Sequence, residues 1–368
     1  MPAMNKGKSG KPRRIGGFVH RVFSGLLLGA NLATLLLFWL CCLSTTVSPM
    51  VSGRMAVIGL SFPLFLLLNL LFIPLWLLVR WRWTWIPVVG MSLMGGYILD
   101  YYPVNPIQKD NPEGVNIVSW NVKGFADAGG QMDSVLSMFR AWDADVVCFQ
   151  EFFPGANRNR MDSLAKAMGM ECYAERSRCV YSRYPILEGV RLDMPTNLEN
   201  GAVAVKMLLD SDTVWVVNCH LESNSINDED RSEGREAILS GERRKLLSET
   251  WQIWNKLATS SRMRSRQVDA ITCFLDSLGT SRSVLLMGDL NDTPISYTYQ
   301  QIDKRLKSAY REAGRGLGVS YNERHFTIRI DHLFHSADWQ TERVDIPQDC
   351  FYSDHNPLLV TLSRGEKE

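Results

Sequence analysis

Two long uncharged stretches near the N-terminus constrain the fold of this chain more than any other feature. Residues 22–53 carry no charged side chain, and neither do residues 55–79. Each stretch exceeds the roughly 20 residues that an α-helix needs to cross a bilayer. A cleaved signal peptide has a much shorter apolar region and is not followed at once by a second one. The sequence therefore predicts an N-terminal transmembrane helical segment with at least two spans.

A third apolar stretch decides on which side of the membrane the rest of the chain lies. Residues 83–99 are fewer and contain glycine, but Trp and Tyr side chains flank them like interfacial anchors. Basic residues cluster in residues 1–21 and at Arg80 and Arg82, so the positive-inside rule predicts a cytoplasmic N-terminus. Two spans would leave the remaining chain in the cytoplasm. We favour three spans within residues 22–99, which predict a multi-pass cell-membrane protein with an extracytoplasmic domain.

The net charge beyond the membrane segment disfavours nucleic acid as a partner. The chain up to Arg82 holds nine Lys or Arg and no Asp or Glu, so 31 basic residues (40 − 9) face all 39 acidic ones afterwards, a balance of −8 (31 − 39). Phosphate backbones usually bind clusters of excess Lys and Arg. A nucleic-acid substrate would need a locally basic groove.

The eight cysteines lack the paired spacing of a zinc site. Cys148 and Cys219 lie inside strand-like segments, where a buried free thiol is the ordinary interpretation. A disulfide between Cys172 and Cys179 stays open, because an oxidising compartment would allow one.

Residues 115–368 show the mixed strand and helix patterns of one layered α/β domain. Apolar β-branched runs predict strands at residues 115–120, 146–149, 202–209, 213–219, 284–287, 328–334 and 358–362. Helical patterns occur at residues 132–142, 158–168, 236–254, 264–278 and 297–306. Residues 100–114 are rich in Pro, Asn and Tyr and predict a linker, while residues 222–235 predict a solvated loop.

Polar side chains stand where four predicted strands end. Asn121, Glu151, His220 and Asp289 each close an apolar run. Taken singly, these residues fit a turn, a helix cap or a satisfied core histidine. Open α/β sheets bind ligands at strand ends, however, and a buried unpaired charge is costly, so four such endings predict one shared site.

Two further clusters, Arg329-Ile330-Asp331 and Ser353-Asp354-His355, flank other apolar runs. The combined set of Asn, Glu, Asp and His is rich in oxygen ligands and poor in sulfur. Such a set suits Mg²⁺ or Mn²⁺ better than structural zinc.

These clusters, together with Gly288-Asp289-Leu290-Asn291, resemble the ordered motifs of the endonuclease/exonuclease/phosphatase superfamily. This superfamily includes deoxyribonuclease-type nucleases, inositol polyphosphate phosphatases and neutral sphingomyelinases. The resemblance covers residues 116–362. It implies a four-layered α/β sandwich with its site at one edge of two sheets. It also implies a divalent cation, with Glu151 as the principal metal ligand, Asn121 nearby and Asp354 as a further contributor.

The resemblance implies catalytic roles as well. Asp289 and Asn291 would orient or deprotonate the attacking water and contact the phosphate. His355, held by Asp331, would act as general base or stabilise the phosphoryl charge, and His220 would reach a phosphate oxygen. These roles agree with what phosphoester hydrolysis needs. Which of Asp289 and His355 takes the proton stays open at this point.

Some positions depart from the family or lie beside its motifs. Lys123 follows Asn121 by two positions, where abasic-site nucleases usually carry a polar or acidic residue, so that repair role is in doubt. His332 occupies a position that is often aromatic, and packing is the preferred interpretation. Arg183 and Arg266 are candidates to line the phosphate approach. A surface helix explains Arg266 equally well, together with Arg262 and Arg264.

The sequence thus predicts a membrane-anchored, metal-dependent phosphoesterase, with lipid headgroups and exported phosphoesters as candidate substrates. A nuclease ranks second because the domain is negatively charged. A non-catalytic membrane receptor for a phosphorylated ligand is the alternative from another class. Intact Glu151, Asp289 and His355 argue against it. Substrate identity and oligomeric state are left open.

Overall fold

The computed structural model describes residues 13–106, 113–196, 200–209, 211–224, 226, 230, 232–233, 236, 239–240, 242–279, 282–323 and 326–365. Two compact units divide the chain: Met1–Cys41 with Ser61–Gly95, and Cys42–Leu60 with Gly96–Glu368. Our predictions for residues 1–12, for 107–112 of the linker and for much of the loop at 222–235 lie outside the described residues.

The first unit is built from apolar helices. Its elements are α1 (Arg13–Ser44), α3 (Phe62–Arg80) and α4 (Trp85–Ser92). Two stretches are long and apolar enough to cross a membrane, Phe18–Ser44 with a mean hydropathy of 2.2 and Phe62–Trp83 with 2.4. The stretch of the predicted third span contains two short helices, α4 and α5 (Gly95–Tyr101). The predicted N-terminal helical segment is therefore present.

Buried polar contacts join the helices of the first unit. The Asn31 amide donates to Asn69 Oδ1 at 3.2 Å and accepts from Trp76 Nε1 at 2.9 Å, which links α1 to α3. Trp39 Nε1 donates to the Gly90 carbonyl at 2.8 Å and links α1 to α4. Interhelical hydrogen bonds of this kind fix the packing of helices that have apolar surfaces on every side.

The second unit contains two six-stranded sheets, with strand orders β13-β14-β1-β2-β4-β3 and β5-β6-β7-β8-β12-β9. The first sheet comprises β1 (Val115–Asn121), β2 (Val146–Gln150), β3 (Glu171–Glu175), β4 (Arg178–Ser182), β13 (Trp339–Asp345) and β14 (Leu358–Arg364). The second comprises β5 (Ile186–Arg191), β6 (Gly201–Leu209), β7 (Asp212–His220), β8 (Ser283–Asp289), β9 (Lys307–Ser308) and β12 (Asp331–His335). A separate hairpin pairs β10 (Tyr321–Glu323) with β11 (Phe326–Ile328).

Helices cover the outer face of each sheet. They are α6 (Met132–Ala141), α7 (Ala156–Ala167), α8 (Arg243–Leu278) and α9 (Tyr297–Asp303). A further short helix, α10 (Ala309–Ala313), contributes Ala309 and Tyr310 to the core between the sheets. A short helix that precedes the sheets in the chain, α2 (Gly53–Gly59), also belongs to this unit.

Three apolar cores explain the layers. Side chains alternate across a strand, so Ile117 of β1 faces the core between the two sheets while Val118 faces the opposite way. On that outer face, Phe139 of α6 packs in the same core as Val118. The outer face of the second sheet packs against α8 and α9 through Ile271 and Ile302. The predicted four-layered α/β sandwich is confirmed.

Most of the missed strands are edge strands. β3, β5 and β13 each lie at the outside of a sheet, where one side lacks a strand partner and much of the surface meets water. Their sequences carry polar residues and lack an apolar run, so the pattern that predicts a buried strand is absent. The predicted strand at residues 328–334 is interrupted, and the helices predicted at 236–254 and 264–278 are joined in α8. Cys172 and Cys179 are free thiols on neighbouring strands.

Candidate active site

Strand register brings the predicted site residues to one edge of the sandwich. In the second sheet, His220, Asp289 and Asp331 lie directly opposite one another on β7, β8 and β12. In the first sheet, Asn121 ends β1, and Glu151 follows the last residue of the neighbouring β2. The local pattern of an apolar run that stops at a polar residue therefore places these groups together.

One amide joins the two sheets at this edge. Asn121 Nδ2 donates to Glu151 Oε1 at 3.0 Å and to Asp289 Oδ2 at 3.1 Å. His220 Nε2 lies 3.6 Å from the same Glu151 oxygen and 3.9 Å from the same Asp289 oxygen. Burial lowers the pKa of His220, against the opposing charge of Glu151, so the ring is neutral near pH 7.

His355 is held from three directions. Its Nδ1 donates to Asp331 Oδ2 at 2.8 Å, its carbonyl accepts from Trp120 Nε1 at 2.8 Å, and its Nε2 lies 3.7 Å from Asp289 Oδ2. Burial by itself would lower the pKa of His355, but the charges of Asp331 and Asp289 outweigh it and raise that pKa to about 10. The ring is therefore an imidazolium at neutral pH, with Nε2–H directed at the site.

Asp289 has the opposite perturbation. Burial first, and then the charge of Asp331, raise its pKa to about 7, although His355 and a hydrogen bond from the Asn291 backbone N–H to Oδ1 (2.8 Å) act to lower it. A carboxylate with a pKa near the working pH suits proton transfer. The Asn291 side chain donates to the Leu221 carbonyl at 3.1 Å and so ties the loop after β8 to the end of β7, a contact that the sequence did not predict.

The backbone at this edge is strained. Lys123, Glu151 and Asn291 have φ values of 45°, 53° and 50°, in the left-handed region that side chains other than glycine rarely adopt. Such residues cost roughly 1–3 kcal/mol each and cluster at functional sites. Their position next to the buried carboxylates supports a functional role for this edge.

A family model of the Endonuclease/Exonuclease/phosphatase family matches residues 118–355, which include every strand end described above. The chain belongs to the endonuclease/exonuclease/phosphatase family. Members of this family are phosphodiesterase and nuclease hydrolases. The resemblance inferred from the motifs is confirmed. A second model, for a domain of unknown function (DUF8431), matches residues 24–101.

Solved structures share the fold at low sequence identity. The human Nocturnin catalytic domain with bound sulfate anion is 13% identical, with 70% of this chain and 97% of that chain covered and a TM-score of 0.52. Humanised D. rerio TDP2 is 14% identical, with 68% and 98% covered and a TM-score of 0.49. SmcL is 16% identical, with 69% and 100% covered and a TM-score of 0.48. The comparison with curated proteins gave no match.

The donor atoms at the site fit the hard divalent cation that family enzymes generally use. Glu151 has 27% of its side chain exposed and so offers a carboxylate to a cation from solvent. Ligand atoms of Asp289, Asp331 and His355 also lie within 4.8 Å of one another. Asp331 Oδ2 already accepts from His355 Nδ1, whereas the Glu151 carboxylate reaches solvent, which makes Glu151 the principal candidate.

The other two predicted ligands are placed differently. Asn121 turns its amide nitrogen toward the carboxylates, and its Oδ1 accepts from the Lys123 backbone at 3.2 Å, so the amide must turn over before the oxygen could bind a metal. Asp354 Oδ2 lies 3.0 Å from Lys123 Nζ in a half-exposed ion pair. Neither contact is one that the sequence pattern reveals.

Sequence reasoning missed a buried amide pair beneath the site. Gln150 Nε2 donates to Asn218 Oδ1 at 2.8 Å, and Asn218 Nδ2 donates to the carbonyls of Phe149 and Cys179 at 3.0 Å. These bonds hold β2 and β4 of one sheet against β7 of the other. The available signal was an amide inside each apolar run, since buried amides need partners.

Arg183 and Arg264 do not lie where the sequence led us to expect them. Arg183 pairs with Asp143 and Asp145 at the start of β2, the opposite end from Glu151, so it does not line the site. Arg264 does not lie on an exposed helix surface, because it is buried and its Nε donates to Asp292 Oδ2 at 3.0 Å while Nη1 donates to the Glu222 carbonyl at 2.8 Å. Arg264 thus fixes the loop after β8 in position through these hydrogen bonds.

His332 packs inside the domain, which is the interpretation that the sequence favoured. It is buried against the Tyr299 ring at 5.0 Å, and its Nε2 donates to the Asp292 carbonyl at 3.0 Å. Burial, and then the charge of Arg329, lower the pKa of His332 to about 3.

Proposed function

We propose that this chain is a membrane-anchored phosphoesterase that uses Mg²⁺ or Mn²⁺ to hydrolyse a phosphodiester or phosphomonoester outside the cytoplasm. The observation that carries the proposal is the meeting of both sheets at one buried edge, where Asn121 bridges Glu151 and Asp289 and the His355 ring is held by Asp331 at 2.8 Å. A charge arrangement of this kind, at a strained and open sheet edge, is expected of a catalytic site.

We assign the proton transfers that the sequence left open on the basis of these contacts. Asp289 accepts the proton of the attacking water, because His355 is already protonated, and the Asn291 N–H fixes the carboxylate. His355 and His220 direct Nε2–H at the phosphate oxygens, where negative charge develops as the water oxygen bonds to phosphorus and the ester bond breaks. A cation held by Glu151, with Asn121 and Asp354 as further candidate ligands, would neutralise that charge when bound.

Contacts of α2 support the third membrane crossing. A Cβ placed on Gly53 of α2 would lie 2.8 Å from the Ala258 carbonyl of α8, and one on Gly59 would lie 2.8 Å from the Ile295 carbonyl. The connection between α1 and α3 therefore touches the catalytic domain and must be on the same side of the membrane. If α3 crosses once, residues 85–101 must cross back to restore that side.

The same contacts support an extracytoplasmic domain. The basic N-terminus should be cytoplasmic, and α1 would carry the chain across to α2. The domain that touches α2 then lies outside. The net negative charge of this part of the chain favours a lipid headgroup or a small exported phosphoester over a polyanion.

The test uses the full chain in detergent with Mg²⁺ or Mn²⁺ and four probes: an aryl phosphodiester, a phospholipid panel, single-stranded DNA and duplex DNA. Chelator-sensitive turnover that falls in both Glu151→Gln and Asp289→Asn is expected, with the best substrate among the small or lipid phosphoesters. Turnover indifferent to chelator and to both changes would refute the metal mechanism. DNA as the best substrate would select the nuclease, and binding of metal without any turnover would select the receptor.

The membrane topology is tested by a separate measurement. A reporter fused after Glu368 should report from outside the cytoplasm. A cytoplasmic signal would overturn the three-span arrangement and the extracytoplasmic substrate together.

A further inference from the structure

The first turns of α8 expose an apolar face. Leu247 is 59% exposed, Trp251 51% and Leu246 37%. Leu247 and Trp251 are four residues apart, so their side chains adjoin on one side of the helix. The buried residues of α8 begin only at Ala258. Half of a 36-residue helix therefore extends past the core that its other half covers.

This half of α8 is also basic. Residues 243–257 contain four basic side chains, Arg243, Arg244, Lys245 and Lys256, and one acidic side chain, Glu249, in a part of the chain that is otherwise negative. Lys245 Nζ lies 3.1 Å from Glu236 and Lys256 Nζ lies 2.5 Å from Asp230, which favours Arg243 and Arg244 as the side chains that meet an anionic surface. A helix with an apolar face and flanking Lys and Arg is typical of binding at a lipid surface.

Its neighbour in the fold is the connection between the two membrane-length helices. Gly53 of α2 packs against Ala258, and the Arg54 guanidinium lies 5.0 Å over the Trp251 ring. α2 is separated by only a few residues from Ser44, where α1 ends, and from Phe62, where α3 begins. If those helices cross a bilayer, chain continuity holds this half of α8 close to its surface.

We propose that residues 243–257 form an interfacial helix that lies on the outer surface of the membrane, with Leu246, Leu247 and Trp251 at the acyl boundary and Arg243 and Arg244 among lipid phosphates. This inference rests on the membrane anchoring of the proposed function. A second copy of the chain is a poorer occupant, since it would bring two basic helices together.

The contact would also orient the active site. α8 continues without interruption to Arg264. The Arg264 side chain binds Asp292 and the Glu222 carbonyl, close in the chain to Asp289 and His220 of the candidate active site. Thirteen residues separate Trp251 from Arg264, or about 20 Å at 1.5 Å per residue. One rigid helix thus couples the lipid surface to the loop after β8.

The test measures depth with spin labels on the full chain in vesicles of phosphatidylcholine and phosphatidylglycerol. Cys172→Ser and Cys273→Ser first remove the exposed thiols. Labels are then placed singly at Leu247→Cys and Trp251→Cys, with Ser248→Cys and Gln252→Cys on the adjoining polar, exposed flank as matched controls. The two apolar positions should collide several-fold more with oxygen, relative to an aqueous nickel chelate, than the controls.

Two outcomes would overturn the proposal. Equal access of nickel to all four positions would mean that the helix stays in water. Protection of Leu247→Cys and Trp251→Cys from both oxygen and nickel would mean that protein covers this face, as in a dimer.

A second measurement separates this proposal from the catalytic one. The Leu247→Glu/Trp251→Glu variant should reduce turnover of vesicle phospholipid roughly tenfold relative to that of a soluble aryl phosphodiester, because charge prevents insertion. Ser248→Glu/Gln252→Glu adds the same charge on the polar flank of the helix and should change the turnover of neither substrate. Equal ratios in both variants would count against the interfacial helix. Absence of all turnover in the unaltered chain would defeat the proposed function, while the collision data would still decide the helix.

Discussion

The two sheets contribute unlike halves of one site. The first supplies Asn121 and Glu151, at a strand end and in a strained turn that reaches solvent. The second supplies His220, Asp289 and Asp331, which are all buried and stand side by side in register. A solvent-accessible carboxylate is available to a cation, whereas crowded buried groups shift one another's proton affinities. We propose on this difference that metal binding belongs to the first sheet and proton transfer to the second.

The largest loss of activity should come from a substitution in the buried, paired set His220, Asp289 and Asp331. Asp289→Asn removes the only group there whose pKa is placed near 7, and kcat should fall about 10³-fold, within the range of general-base catalysis. Additional metal should not restore it. The control is Asp303→Asn, another carboxyl with a pKa raised by burial, to about 6, but at the end of α9. Steady-state kinetics in which both variants lose activity alike would contradict the assignment.

The activity of variants in the first sheet should depend on the metal concentration. Glu151→Gln should reduce turnover about 10²-fold at fixed Mg²⁺ and recover in part as Mg²⁺ is raised, because ligand loss weakens binding without removing the base. Asp354→Asn is the matched variant, since its carboxylate is paired with Lys123. A magnesium titration that restores activity to Asp289→Asn but not to Glu151→Gln would contradict the assignment of metal binding to Glu151 and proton transfer to Asp289.

The close packing of the second sheet predicts a stability effect. A Cβ on Gly288, whose φ is 139°, would meet the Cys219 carbonyl oxygen at 1.9 Å. Gly288→Ala should therefore destabilise the domain by about 3 kcal/mol, from backbone strain and overpacking together. Gly169→Ala also has a positive φ but nothing within 4 Å of the new Cβ. Melting temperatures that fall equally in both variants would show that strain alone is responsible.

The smallest effect concerns pH. His332, which pairs in register with Gly288, has a folded-state pKa of about 3 against an ordinary value of 6.5. The unfolded chain therefore binds the extra proton between these values, so stability is full above pH 6.5 and declines as the pH falls toward 3. His332→Gln should flatten this part of the stability curve. Parallel curves for the two proteins, measured by thermal unfolding, would exclude the histidine as a cause.

Much of the site could be predicted because its signals are local. An apolar run that stops at Asn121, Glu151, His220 or Asp289 is visible in a short window of sequence, and so are the uncharged stretches of α1 and α3. Edge strands such as β3 give a weaker signal because half their surface meets water. Arg264 looked like a surface residue for a related reason, since its partners Asp292 and Glu222 are distant in sequence.

By itself, the sequence determined the family, the oxygen-rich set of site residues and the apolar N-terminal segment. Only the tertiary structure decided that Asn121 joins Asp289 across the sheets, that neighbouring charges outweigh burial and raise the pKa of His355 while burial raises that of Asp289, and that α2 touches α8. Proton affinities and contacts depend on burial and on distances of a few ångströms between residues far apart in the chain. No local pattern encodes those distances.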